Sequence, residues 1–171
     1  MLAETLPHDV YFSLLNSYFE ATAGPLVDHG GEVLDFIGDG VLGIFPYDDG
    51  DGLVEAARRA HLALDETLAR GREANASRHA AGLDRFNFGV GLDVGDVKFG
   101  NIGIPQRLSF SVIGQTVNEV ARIESMTKLL QQPVLAGAKL ARLNPVRWRT
   151  VGEHKLDGVL EPVELFAFLA A

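Results

Sequence analysis

The sequence contains no cysteine, which excludes disulfides, thiolate metal centres and a cysteine nucleophile. It also lacks any apolar run of the ~20 residues a membrane-spanning helix needs. Its first residues do not show the basic-then-apolar order of a secretory leader. Cations are scarce: 15 Lys and Arg stand against 23 Asp and Glu, a formal charge of −8. Nucleic-acid backbones and anionic membranes are held by clustered Lys and Arg, so neither is an expected partner. No repeat, low-complexity tract or linker interrupts the chain. What is present is ordinary for a globular protein, with 171 residues, 47% of them apolar and 22% charged. That is enough for one domain with a real core. The expectation is a single cytoplasmic domain over residues 1–171.

Apolar spacing predicts a helix from Pro7 to about Ala23, ended by Gly24-Pro25. Two short apolar runs, Val33 to Ile37 and Val41 to Phe45, flank Gly38-Asp39-Gly40. Asp and Gly tolerate the backbone angles of a tight turn, so the runs read as a hairpin. A long helix is expected from Gly50 to Arg72, with Val54, Ala57, His61, Leu64 and Leu68 on one face. Glu73 to Asp84 reads as a surface loop. Phe86 to Leu92 and Val97 to Ile104 read as a second strand pair around Gly95-Asp96, followed by a strand from Leu108 to Ile113. Thr116 to Leu130 is helical, because Val117, Val120, Ile123 and Leu130 share a face. Strands are expected at Pro133 to Ala136, Trp148 to Leu156 and Val163 to Leu169, with a short helix near Ala138 to Leu143. Strand pairs mixed with helices, without strict βαβ alternation, predict an α/β (α+β) fold with helices on a mostly antiparallel sheet.

Three stretches carry further meaning together. They are Gly30 to Gly40 (GGEVLDFIGDG), Gly89 to Gly95 (GVGLDVG) and Phe110 to Glu124 (FSVIGQTVNEVARIE). In this order they resemble the class III adenylyl/guanylyl cyclase catalytic domain, and the similarity runs from about Phe12 to Phe168. The resemblance implies a ferredoxin-like cyclase homology fold. It implies conversion of a nucleoside triphosphate, ATP or GTP, into a 3′,5′-cyclic nucleotide and pyrophosphate in intracellular signalling. It implies two divalent ions, Mg²⁺ or Mn²⁺, held by carboxylates, since hard cations prefer oxygen ligands. It also implies a homodimer that places each site between two subunits.

Site residues follow by matching positions. Asp39 corresponds to the family's second metal-binding Asp; it is equally explicable as the turn residue of an Asp-Gly hairpin. Asn118 and Arg122 match the pair that orients the ribose and counters charge at the α-phosphate. Their spacing of four puts them on one helix face, away from the Val117, Val120 and Ile123 stripe. An ordinary solvated face would look the same. Asp35 and Ser111 occupy the base-reading positions, with Phe36 and Gly38 as further nucleotide contacts. A carboxylate can accept from guanine N1–H and its amine and a hydroxyl can donate to O6, so the pair leans toward guanine, if it reads a base at all.

Departures from the family pattern stand beside these matches. The family's first metal Asp belongs to a strand motif that would precede Met1-Leu2-Ala3-Glu4. Gly89 and Asp157 stand where the family places a triphosphate-binding Arg and Lys. The chain as given is therefore expected to be inactive or nearly so. The alternative to an enzyme is a catalytically degenerate cyclase-homology domain that serves as a nucleotide-binding or regulatory partner.

Overall fold

The computed structural model describes residues 8–47, 52–104 and 107–169, with backbone alone at 8, 9, 99, 101–104 and 107–111. Pro7, Gly50 and Met1 to Glu4, on which some sequence expectations fall, lie outside this range. Two compact units divide the chain at Asn87/Phe88, and each is described by itself.

The first unit holds α1 (His8–Asp28), β1 (Glu32–Ile37), β2 (Gly40–Ile44) and α2 (Gly52–Ala80). Both helices outrun their sequence limits. Gly24-Pro25 does not end α1; Pro25 lies inside it and is fully buried. The helix ends one turn later. There the Gly31 amide donates to the Leu26 carbonyl (2.8 Å) and the Gly30 amide to the Val27 carbonyl (2.9 Å), with Gly30 at φ +76°. This paired bonding around a left-handed glycine satisfies the last carbonyls of the helix.

Helix α2 likewise continues through residues 73–80, which the sequence reads as a loop. Side-chain bonds to the backbone of the segment that follows hold that extra length. Asn75 exchanges two hydrogen bonds with the Phe86 backbone (2.7 and 2.9 Å), and Arg78 Nε donates to the Asp84 carbonyl (2.6 Å). Small residues line the α1–α2 seam, with Ala21, Ala56, Ala57, Ala60 and Ala63 buried beside Leu14 and Leu64. Val54, expected on the buried face, is 58% exposed.

The hairpin forms as expected. β1 and β2 pair antiparallel, with Ile37 opposite Gly40, and Gly38 carries the positive φ of the turn, +65°. Leu26 of α1 wedges beneath it. A β-carbon on Gly43 would lie 2.1 Å from a Leu26 methyl, and one on Gly31 would lie 2.8 Å from the Leu26 carbonyl.

The second unit comprises β3 (Val90–Leu92), β4 (Lys98–Ile104), β5 (Arg107–Ile113), α3 (Gln115–Leu129), β6 (Val134–Gly137), α4 (Ala138–Ala141), a 3-10 turn (Pro145–Arg147), β7 (Trp148–His154) and β8 (Val163–Phe168). One sheet has the order β3-β6-β8-β7, and β4 with β5 makes a separate hairpin. The expected pairing of the strand ending at Leu92 with β4 does not occur. β3 instead runs parallel to β6, while β4 pairs antiparallel with β5. The reason lies in the glycines. A β-carbon at Gly91 would sit 2.6 Å from both the Glu124 amide nitrogen and the Val120 carbonyl, and at Gly89 2.1 Å from Thr127 Oγ1. Their absence lets β3 lie directly on α3. Four of the five strand pairings among the described residues are antiparallel, so the mostly antiparallel α+β reading stands. Ile123, Leu135, Leu156, Leu165 and Ala167 form this unit's core.

Candidate functional site

The hairpin of the first unit presents its polar residues to solvent. Asp39 is exposed at the turn and makes no side-chain hydrogen bond or ion pair among the described residues. Such a carboxylate is free to take a hard cation. It is not part of a ready-made cage: among the described residues no three His, Asp or Glu side chains gather into a metal cluster. Asp39 thus fits as one ligand of an ion and does not complete a site by itself.

Asp35 is exposed on β1, and its Oδ1 accepts from the Phe36 amide (2.8 Å). Phe36 is 52% exposed yet anchored edge-on against Phe19, centroids 4.8 Å apart. Gly38 has open space around it, so nothing but its backbone conformation requires glycine. The structure therefore brings Asp35, Phe36, Gly38 and Asp39 onto one short hairpin.

In the second unit, helix α3 buries Ile123 and Thr127, while Val117 and Val120 of the expected stripe are half-buried. Ile123 is fully buried, whereas Asn118 and Arg122, one turn apart, are both exposed. The helix begins after Gly114. The outward direction expected for the Asn/Arg pair is thus observed. Ser111 lies on β5 opposite Gly100; only its backbone is described.

Two features escaped the sequence reading of roles. Arg122 Nη2 lies 3.9 Å from Asp157 Oδ2, so the residue at the expected cation position opposes the charge of Arg122. Asp93, just beyond β3, is held above the usual carboxylate range by burial, with Glu119 adding to the effect. Its Oδ1 accepts from the Val94 amide (2.8 Å) and fills the space that a side chain at Gly137 would need. Gly89, the other expected cation position, faces Thr127 at a distance that leaves a long side chain no room. No helix among the described residues is long and apolar enough to cross a membrane.

No family model matches the chain. Curated relatives do. Adenylate cyclase 1 of Rhizobium meliloti is 30% identical over 157 residues, 90% of this chain and 23% of the relative. The adenylate cyclase of Anabaena cylindrica is 32% identical over 129 residues, 74% of this chain and 25% of the relative. The chain therefore spans about a quarter of the length of these curated relatives. Among solved structures, the guanylyl cyclase Cya2 superposes with a TM-score of 0.80 at 28% identity, covering 99% of this chain and 85% of that one. The adenylyl cyclase CyaB from P. aeruginosa gives 0.82 at 22% identity, covering 99% and 87%, a likeness of fold alone. By sequence along most of its length and by fold, the chain is a counterpart of the class III adenylyl/guanylyl cyclase domain.

Proposed function

We propose that the chain is the catalytic domain of a nucleotidyl cyclase, converting ATP or GTP into the 3′,5′-cyclic nucleotide and pyrophosphate, and acting as a homodimer. The observation that carries this reading is the joint exposure of Asn118 and Arg122 on α3 while their neighbour Ile123 is buried. An Asn and an Arg displayed one turn apart from a rigid helix suit a substrate better than a core.

In this reading the ribose 3′-oxygen attacks the α-phosphorus, the bond between that phosphorus and the pyrophosphate oxygen breaks, and the hydroxyl proton passes to solvent. Arg122 stabilises negative charge that grows on the α-phosphate oxygens in the transition state. Asn118 orients the ribose so that the attacking oxygen is in line. Asp35 and Ser111 read the base edge, with Phe36 and Gly38 beside the nucleotide. Asp39 supplies one carboxylate to the divalent ions. When bound, Mg²⁺ or Mn²⁺ supplies charge neutralisation on the phosphates and a more acidic hydroxyl.

A second reading, a degenerate cyclase-homology domain that binds nucleotide or a partner without turnover, is favoured by Asp157 and Gly89. Neither offers a cation to the triphosphate. Turnover of ATP and GTP with Mn²⁺ separates the two. Measured on a protein that also carries the family's first metal Asp, the enzyme reading expects product from the unsubstituted form and about a 10²–10³-fold loss of kcat in Arg122→Ala, with KM little changed. Equal product from wild type, Arg122→Ala and Asp39→Ala would overturn it.

A further inference from the structure

We propose that Arg59 of α2 is the positioning residue of the β1–β2 hairpin, fixing the place at which Asp39 is presented. The inference rests on the reading of Asp39 as a metal ligand.

Arg59 closes the base of the hairpin with a single group. Its Nη1 donates to the Gly30 carbonyl, before β1, at 2.6 Å. Its Nη2 donates to the Pro46 carbonyl, after β2, at 3.0 Å. The two ends of the hairpin are thus joined through one planar guanidinium, whose fork holds its donors in fixed relation. Charged donors also make the stronger class of hydrogen bond. Gly30 makes room for this approach, because a β-carbon there would lie 3.0 Å from Arg59 Nη1.

The grip extends along the helix. Arg59, Glu66 and Arg70 recur at spacings of seven and four, which place them on one face of α2. They hold three consecutive residues of the turn into β1. Arg70 bonds Asp28 (2.6 Å), Glu66 meets His29 Nε2 (2.6 Å), and Arg59 takes Gly30. Glu66 and Arg70 are also paired with each other. Of the three, Arg59 alone joins the segments that flank both strands, before β1 and after β2.

Leverage makes this grip matter for the tip. Six residues of strand separate the base from the turn, about 20 Å at the rise of an extended chain. A tilt of about 5° at the base displaces the tip by about 2 Å. Metal ligands hold their ions to within about 0.2 Å, so a small loosening at Gly30 and Pro46 is a large one at Asp39.

The test compares wild type, Arg59→Gln and Arg59→Lys by amide hydrogen exchange and by ¹⁵N NMR with Mn²⁺ alone as the probe. Arg59→Gln is expected to speed exchange of the Val33–Gly43 amides about tenfold while the β6–β8 amides are unchanged. It is expected to raise the Mn²⁺ concentration that half-broadens the Gly38–Gly40 amides at least about threefold. Arg59→Lys, which keeps the charge but reaches one carbonyl, is expected to recover only part of each change. Faster exchange spread evenly over both units would mark a merely structural residue and overturn the proposal. So would faster hairpin exchange with an unmoved Mn²⁺ response. If the wild type shows no broadening at all, the metal reading of Asp39 falls, and hairpin exchange alone decides whether Arg59 sets the hairpin.

Discussion

A methyl group added to Gly91 would lie 2.6 Å from two backbone atoms of α3, and backbone cannot swing aside as a side chain can. Gly91→Ala is therefore expected to cost about 1–3 kcal/mol, read as a lower urea midpoint at unchanged slope. A midpoint equal to wild type would mean that β3 does not rest on α3 as described. The run from Gly89 to Gly95 is visible in the sequence as a family mark, but its physical reason is not. That reason is a contact with residues about thirty positions later, and no local pattern encodes it. The turn position of Asp39 and the outward face of Asn118 and Arg122 were legible in the sequence; their roles belong to the proposed function. The opposition of Asp157 to Arg122 was only half legible, because a missing Lys can be seen in a sequence but an ion pair cannot. Both side chains are well exposed, at 50% and 91%, so the pair is worth little to stability. In the proposed cyclase its effect would fall on the incoming nucleotide instead. Asp157→Asn is expected to lower the nucleotide KM about two- to fivefold without changing kcat. A KM that rises would show that Asp157 helps to hold the substrate.

Among the elements, the first hairpin, α3 and the last three strands were placed by sequence to within a few residues, whereas α1 and α2 run well past their expected ends. The errors share a cause. Pro25 and the polar stretch at 73–80 carry local signals against helix, and the folded surroundings overrule them: full burial for the first, the Asn75 and Arg78 bonds for the second. The β3 pairing failed because adjacency in sequence was taken for adjacency in the sheet. At this scale the α1–α2 junction also makes a prediction about pH. The hydrogen bond from His29 foremost, and the one from Arg70 next, hold the Glu66 carboxyl below its ordinary value of 4.5. The folded state thus binds this proton less readily than the unfolded chain. The contribution is complete above that value and is lost as pH falls through the lower, folded one. Between about pH 6 and about pH 3, wild type should lose more stability than Glu66→Gln, measured by urea midpoints. Parallel pH curves would show that the junction contributes nothing.

For the molecule as a whole, the proposed homodimer draws Asp39 from one subunit and Asn118 with Arg122 from the other. In a protein that also carries the family's first metal Asp, mixing Asp39→Ala with Arg122→Ala is then expected to restore turnover to roughly a quarter of the unsubstituted form, since half the dimers are mixed and each has one intact site. No recovery from folded, exchanging subunits would refute a shared site. The order of strands in the second unit has a different kind of consequence, in time rather than in space. β8 comes after every other described strand in the chain yet lies between β6 and β7 in the sheet. While the chain is being made, residues 1–87 can leave the ribosome and settle with all their internal partners already present. The second unit has no such option. Until Val163–Phe168 emerges, β6 has an open edge, β7 has no partner, and the core around Ile123 lacks Leu165 and Ala167. The helix that carries Asn118 and Arg122 is therefore synthesised early in this unit, but the core beneath it is completed only once β8 has been made.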